Sequence, residues 1–577
     1  MPIRQLAILD WSIVAIYVIA ALIAGVVLTR RASRSVEDFF ISGRKLPWWL
    51  IGTSMAATNF SIDTPIAIAG LVAKSGIAGV WFFWSSGISA MLAACFFAQL
   101  WRRAEVITDA ELIELRYGGK PAAALRLFKG VYFGVIVNCF VMGWVMTAML
   151  KVMSEVSSLD RLTILVGFVL IALVYTLLSG FWGVVVTDLF QYAVALGGSI
   201  AVAYYSVREA GGLSALASQA ELTRLMPPLS SHSDANTGMP FSVFLTYIGL
   251  QWWAHKYADG GGKTIQRMSA ARDEKQAVYG TLWFAIANYA LQVWPWILTA
   301  LASGIVLGAL PDPESAYPKM MLAVVPHGLL GLALVALIGA FMSTIDTHLN
   351  LGSSYLVNDI YRRFCVRSAD ESHYVLISRL GMLLLLAIAS IIGWRIDSVG
   401  DAWKFILAFS AGAGPTYILR WFWWRANAWT ELSAMIASGI VASVLQWHSP
   451  ELLYSWRLLL VVGISAAIWL PVTLLTTPVD VDLLLKFVGQ VRPGRLGWSR
   501  ILKDGDPNFA QEMEPFFARA MTRWAVGIVL LFSLCFAIGK ALLGQGTQSA
   551  ALFCIALISL TWLLRAFRSD ANQSPEG

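Results

Sequence analysis

Between Trp48 and Val72 the chain carries an apolar run long enough to cross a bilayer, yet its centre reads Ala57-Thr58-Asn59-Phe60-Ser61-Ile62-Asp63-Thr64-Pro65. About 20 apolar residues span the ~30 Å of membrane hydrocarbon. A carboxylate at the centre of such a helix costs ~2.5–3.5 kcal/mol on insertion scales, so Asp63 must face protein or water. Pro65 donates no backbone hydrogen bond and disfavours helix at Thr64. The run therefore reads as a helix broken at mid-membrane, where free backbone groups are tolerated only around a cavity enclosed by protein. For this segment alone, a kinked helix with its polar groups satisfied by neighbours is the alternative.

The rest of the chain sets the class. Of its 577 residues 58% are hydrophobic and 13% charged, and mean hydropathy is +0.67. A soluble domain of this size could not cover its surface with so few polar groups. The chain is predicted to be an all-α polytopic membrane protein with about fifteen spans. Its net charge of +7 calls for no nucleic-acid partner, because Lys and Arg fall between the apolar runs, the pattern that orients a protein in a membrane. The clusters lie in 30–45, 102–129, 263–275, 361–374, 420–425 and 476–523, and the intervening loops are poor in positive charge. The N-terminus is therefore expected outside and the C-terminus in the cytoplasm. The first run, Leu6 to Val27, is followed by its basic cluster instead of preceded by it, and reads as a retained helix. The five cysteines show neither metal-ligand spacing nor a paired arrangement and read as free thiols.

A second discontinuity lies five spans after the first, at Ala258-Asp259-Gly260-Gly261-Gly262-Lys263. Successive glycines favour unwound backbone, although an ordinary loop has the same composition. Interrupted segments at corresponding places of two five-span halves point to an inverted-repeat (5+5) core with a binding site between them. The expected organisation is an extra helix and loop over 1–47, a first repeat over 48–210, an external loop over 211–240, a second repeat over 241–427, and additional helices over 428–577 that include the loop 476–523.

Asn59, Ser61, Asp63, Thr64 and Gly261, at the two discontinuities, are candidate solute contacts. Trp84 and Trp252 could stack on a ring, and Asn288 and Gln292 could hydrogen-bond a solute. Tryptophans and amides in a membrane bundle also pack and bridge helices, and Asp63 could instead pair with Lys256 or Lys263. His255 and His348 have no partner at metal-ligand spacing.

The stretch Asp38-Phe39-Phe40-Ile41-Ser42-Gly43-Arg44-Lys45-Leu46-Pro47-Trp48-Trp49 resembles a motif of the sodium:solute symporters, the relatives of the sodium/glucose and sodium/proline cotransporters. Glu114-Leu115-Arg116-Tyr117-Gly118, Thr187-Asp188-Leu189-Phe190-Gln191, the run Gln266 to Glu274 and the run Ala340 to Asn350 are similar to further motifs of that family, so the resemblance covers 38–427. It implies a leucine-transporter-like core with flanking helices in the cell membrane, and no enzyme. It also implies sodium-driven uptake of a small sugar-like or amino-acid-like solute by alternating access. The sodium ion would lie on the carbonyls of Ala57, Phe60 and Ala340 and the hydroxyls of Ser343 and Thr344, with Asp188 beside it or lining a second site. Independently, Ala340, Ser343 and Thr344 share one helix face, and unwound carbonyls are the hard ligands such a cation prefers. A Ser-Thr pair in a membrane helix otherwise bonds back to its own carbonyls. Gly261-Gly262 stand where the family often has Asn or Asp followed by Gln, so the solute contacts of the sugar and proline carriers do not transfer.

Two other readings belong to different classes. A transporter-fold sensor would need an effector domain, for which the short polar tail after Leu564 leaves no room. An intramembrane enzyme would need a nucleophile or metal constellation that the sequence does not offer. Lipid and a small solute are the expected partners, and oligomeric state leaves no signal.

Overall fold

Pro65 and the glycines of 260–262 interrupt helices that the surrounding apolar residues would otherwise continue, and the molecule is arranged around those two interruptions. The computed structural model describes residues 5–32, 44–229, 239–502 and 516–571; the Asp38–Gly43 part of the family motif lies outside them. Among the described residues nine helices are long and apolar enough to cross a membrane, or ten if the bent pair Trp48–Asn59 and Asp63–Ser75 forms one span. Shorter apolar helices occupy Ile8–Ile23, Arg161–Thr176 and Phe241–Gln251.

The two halves of the first broken helix meet at 59°. The helical ladder ends where Phe60 N–H donates to the Ala56 carbonyl (2.8 Å) and resumes where Thr64 N–H donates to the Ser61 carbonyl (3.0 Å). Pro65 thus falls in the first turn of the Asp63–Ser75 helix, where a missing N–H leaves no bond unmade. The second interruption separates Phe241–Gln251 from the Lys263–Ala270 helix. It is no surface loop: Ala254, His255, Lys256, Ala258 and Asp259 are all buried. Gly262 adopts φ +69°, and a Cβ there would strike the Tyr257 ring, so conformation and space both require glycine. The basic stretch 263–275, expected as a loop, begins as the buried second half of this broken helix; Arg267 is 1% exposed.

The helical stretch Arg161–Glu209 is not one straight rod. Phe168 packs on Phe341 with ring centroids 5.6 Å apart, while Asp188 bonds Ser343. Twenty residues of straight helix would hold Phe168 and Asp188 about 30 Å apart, yet their partners are neighbours on one helix. The chain therefore doubles back between them, consistent with separate spans over 162–178 and 184–207.

Ionic networks close opposite ends of the Gly119–Val156 helix. At one end Arg126 lies between Glu114 (2.5 Å) and Asp359 (2.8 Å). At the other, Lys151 lies between Asp312 (2.9 Å) and Glu314 (2.7 Å). Glu314 also accepts the Val399 and Gly400 amides and the Ser398 hydroxyl, holding the start of the Val399–Ala411 helix. On the Arg126 side, Leu46 forms a parallel bridge with Ala271: Leu46 N–H donates to the Ala270 carbonyl and Arg272 N–H to the Leu46 carbonyl, both at 3.0 Å. The pairs Ala428–His448 with Tyr454–Leu475 and Phe516–Leu542 with Gly546–Ala571 flank the core. Their outer faces leave Ile440, Leu459 and Ile558 exposed, as suits a lipid solvent.

Candidate ion and solute site

The Leu329–Cys365 helix runs past the first break and presents Ala340, Ser343 and Thr344 to it. Thr344 Oγ1 donates to the Ala340 carbonyl (3.0 Å) and lies 3.4 Å from the Thr58 carbonyl of the facing helix. Ser343 Oγ donates to Asp188 Oδ1 and Ser54 Oγ to Asp188 Oδ2, each at 2.5 Å. Both hydroxyls keep oxygen lone pairs for a further partner. The Ala57 and Phe60 carbonyls flank the gap in the ladder. Of the residues in the implied sodium site, Thr344 and Ala340 thus meet the helix that precedes this break, and Ser343 meets Asp188.

One side chain at this centre carries more contacts than the sequence suggested. Arg267 donates to Thr58 Oγ1 (2.8 Å), Thr347 Oγ1 (2.9 Å) and Ser54 Oγ (3.0 Å), and reaches Asp188 Oδ2 at 3.3 Å. Asp188 and Arg267 form a buried ion pair with side chains 0% and 1% exposed. The Gln266-Arg267 dipeptide just past the glycines was the available signal, masked by the basic character of the stretch.

Asp63 is buried, and its Oδ2 accepts the Trp403 indole N–H at 2.9 Å. Among the described residues neither Lys256 nor Lys263 reaches ion-pair distance of it, although the Lys263 charge acts on it. Trp403 stacks on Phe82 (6.4 Å) and meets Trp144 edge-on (6.5 Å), forming an aromatic wall that the sequence reading missed. A tryptophan among 25 gives no sign of which wall it belongs to. Asn59 Nδ2 donates to its own Met55 carbonyl (2.9 Å), Thr64 Oγ1 to the Asn59 carbonyl (3.2 Å), and Ser61 is buried within the break.

Gly261 sits in the second break beside Asp259. Asp259 accepts from Arg420 (2.6 Å) and the Trp421 indole (2.7 Å), and its carbonyl accepts the Trp101 indole (2.8 Å). This carboxylate ties the unwound segment to the Gly414–Phe422 helix. The start of that helix comes so close that a Cβ on Gly414 would lie 2.3 Å from the Trp253 carbonyl.

The remaining candidates lie towards the flanking Phe516–Leu542 helix. Trp84 is fully buried, with ring centroids 6.1 Å from Trp294 and 5.7 Å from Phe536. Trp252 packs on Trp524 at 5.2 Å. Gln292 Nε2 donates to Asn288 Oδ1 (2.5 Å), in a segment packed between that helix and Trp48–Asn59.

Two helices broken opposite one another, around a buried polar centre and between ionic networks at either end, define a secondary transporter. The sodium:solute symporter family matches residues 39–438, and the chain belongs to that family. It couples sodium flow to uptake of a small solute and is a multi-span membrane protein. It is 26% identical over 475 residues to a sodium/glucose cotransporter of Vibrio parahaemolyticus, covering 76% of this chain and 84% of that one. It is 25% identical over 494 residues to the human sodium/myo-inositol cotransporter 2, covering 76% and 70%. A solved Na+-coupled sialic acid symporter, substrate-bound and outward-open, superposes with a TM-score of 0.69 at 20% identity over 82% of this chain and 99% of that one. The leucine-transporter-like inverted-repeat fold is thereby shown.

Proposed function

We propose that sodium binds at the first break, on the carbonyls of Ala57, Phe60 and Ala340 and the hydroxyls of Ser343 and Thr344, with Asp188 holding Ser343 in place. The observation that carries this is the Thr344 hydroxyl set between the Ala340 and Thr58 carbonyls, at 3.0 and 3.4 Å, where helix Leu329–Cys365 faces an interrupted ladder. The solute lies between the two breaks, against Asn59, Ser61, Asp63, Thr64 and Gly261, with Trp84, Trp252, Asn288 and Gln292 forming the support behind. It is small and polar, sugar-like or amino-acid-like; relatives named for glucose and myo-inositol support the hydroxylated end of that range.

The repeats run over 48–210 and 241–427, joined by 211–240, with 1–47 and 428–577 outside the core. The positive-inside pattern supports an external N-terminus and a cytoplasmic C-terminus in the cell membrane, with lipid around the rim. The Lys151–Glu314 network then closes the outer side and the Arg126 network the inner, and alternating access opens them in turn. One sodium ion entering down ~100 mV supplies ~2.3 kcal/mol, and a tenfold gradient adds ~1.4 kcal/mol, enough for a few-hundredfold accumulation at one-to-one stoichiometry. The test is solute accumulation in proteoliposomes. It is expected to collapse when the sodium gradient is removed, and accumulation that is equal without the gradient defeats the reading.

A further inference from the structure

The charges of the central site balance in number but not in pairing, and the cation that no described carboxylate reaches bears on what the site carries. Three cations lie on the second broken helix: Lys256, Lys263 and Arg267. Arg267 pairs with Asp188 and also feels Asp346. Lys263 faces the charge of Asp63. Of the other nearby acids, Asp259 is taken by Arg420, and Asp109, which accepts the Tyr355 hydroxyl and keeps its charge, is not within ion-pair distance of any of the three cations.

Lys256 has none of these. It is 8% exposed, and among the described residues no carboxylate comes within ion-pair distance of it. Its ammonium lies 5.8 Å from the Trp144 ring centroid and 5.0 Å from that of Tyr257, and the charge that reaches it is a second cation, Lys263. Aromatic faces attract a cation but replace only part of its lost hydration. Trp144 also touches Trp403, which holds Asp63, so one aromatic wall connects the free ammonium to the first break.

A second group points the same way. His348 Nδ1 faces Asn138 Oδ1 at 2.5 Å, and Asn138 Nδ2 donates to the His348 carbonyl at 2.7 Å. That arrangement assigns the ring proton to Nδ1 and leaves Nε2 as an acceptor, buried and without a partner. The helix that carries Asn138 also carries Trp144, whose ring faces Lys256, and Phe133, whose ring lies 6.2 Å from that of Tyr257, so the imidazole and the ammonium border the same centre. An unmatched ammonium asks for an anion, and an unmatched imidazole nitrogen asks for a hydroxyl or amine donor.

We propose that the transported solute is a hydroxylated carboxylate, its carboxylate received by Lys256 and a hydroxyl by His348 Nε2. This rests on the symport reading above and narrows its solute from sugar-like or amino-acid-like to acidic. Lys256 then discriminates by charge: a neutral polyol of the same shape leaves the ammonium desolvated and unmatched, whereas the acid neutralises it. A lysine held there uncharged would be indifferent to solute charge.

The test is thermal unfolding of the full-length protein in detergent at saturating sodium, with matched pairs: glucose against gluconate and glucuronate, galactose against galacturonate, glycerol against glycerate. At least one acid is expected to raise the melting temperature in a sodium-dependent manner while its neutral counterpart does not. Lys256→Gln is expected to weaken apparent affinity for that acid tenfold or more while sodium alone still stabilises the variant, and Lys256→Arg is expected to retain part of it. The proposal is overturned if neutral members stabilise as well as their acids, if no acid in the panel stabilises, or if Lys256→Gln binds the acid undiminished. Should Lys256→Gln fail to fold, the wild-type pairs and Lys256→Arg still decide. Sodium-driven uptake of a neutral sugar would defeat this inference and leave the symport reading intact. Acid uptake indifferent to the sodium gradient would defeat the symport reading and leave the charge preference standing.

Discussion

Arg267 and Asp188, 79 residues apart in the chain, meet at 3.3 Å with neither side chain reaching solvent. The same carboxylate receives the hydroxyls of Ser343 and Ser54, so one ion pair joins both broken helices to the Ser343 face of Leu329–Cys365. Removing one member of such a pair strands the other charge, at a cost of about 3–5 kcal/mol. Arg267→Gln and Asp188→Asn should each lower the melting temperature strongly, and the double variant should be less damaged than the sum. Additive losses in the thermal unfolding of the three variants would mean that the pair is not the coupling element.

Thr344→Ala and Ser343→Ala each delete one hydroxyl from the proposed ion site. A lost ligand worth ~1.4 kcal/mol raises the half-saturating sodium concentration about tenfold. Sodium titration of uptake is expected to show that shift in both variants at near-normal expression. Unchanged sodium dependence in both would remove these residues from the ion site.

Asp63→Asn keeps the shape of the side chain and an acceptor for the Trp403 indole, but loses the charge. It should fold and retain sodium binding while solute affinity falls by ~1.5–3 kcal/mol, the range for a charged hydrogen bond. Trp403→Phe leaves the carboxylate without that donor and should weaken the solute by only ~0.5–1.5 kcal/mol. Competition binding at saturating sodium ranks the two, and an unaltered Asp63→Asn affinity would exclude Asp63 as a solute contact.

Gly414→Ala tests the contact between the Gly414–Phe422 helix and the second break. The added methyl would lie 2.3 Å from the Trp253 carbonyl and 2.6 Å from the His255 amide, atoms of backbone that cannot rotate aside. Overpacking of this kind costs ~1–3 kcal/mol, so the variant should unfold at lower temperature with reduced transport. A melting temperature equal to that of the wild type would show that the two segments separate freely.

Much of this was legible in the sequence because breaks in a membrane helix have local causes. Pro65, Asp63 and the glycine run mark both interruptions without reference to anything distant, and Ser343 and Thr344 share a face by helical spacing alone. What stayed hidden depends on partners far along the chain. Asp259 and Arg420 are 161 residues apart, and hydropathy alone gives neither residue a partner. The charge pattern that orients the spans also placed Arg267 in a loop, since a sequence rule cannot distinguish a basic residue at the membrane surface from one held at the protein's centre by Asp188. Trp84 and Trp403 are equivalent as sequence; only packing sends one to the flanking helix and the other to the carboxylate of the first break.

The short parallel bridge between Leu46 and Ala271 makes the lead-in to the first broken helix and the exit from the second a single lever. The Leu46 and Arg272 amides are both committed across the joint, so these two half-helices cannot part without releasing them to water. Each of those two protons is therefore a clock on the opening of this joint. If the halves swing as one body, both amides resist deuterium through many turnovers; if the halves separate on every cycle, both exchange at the pace of transport.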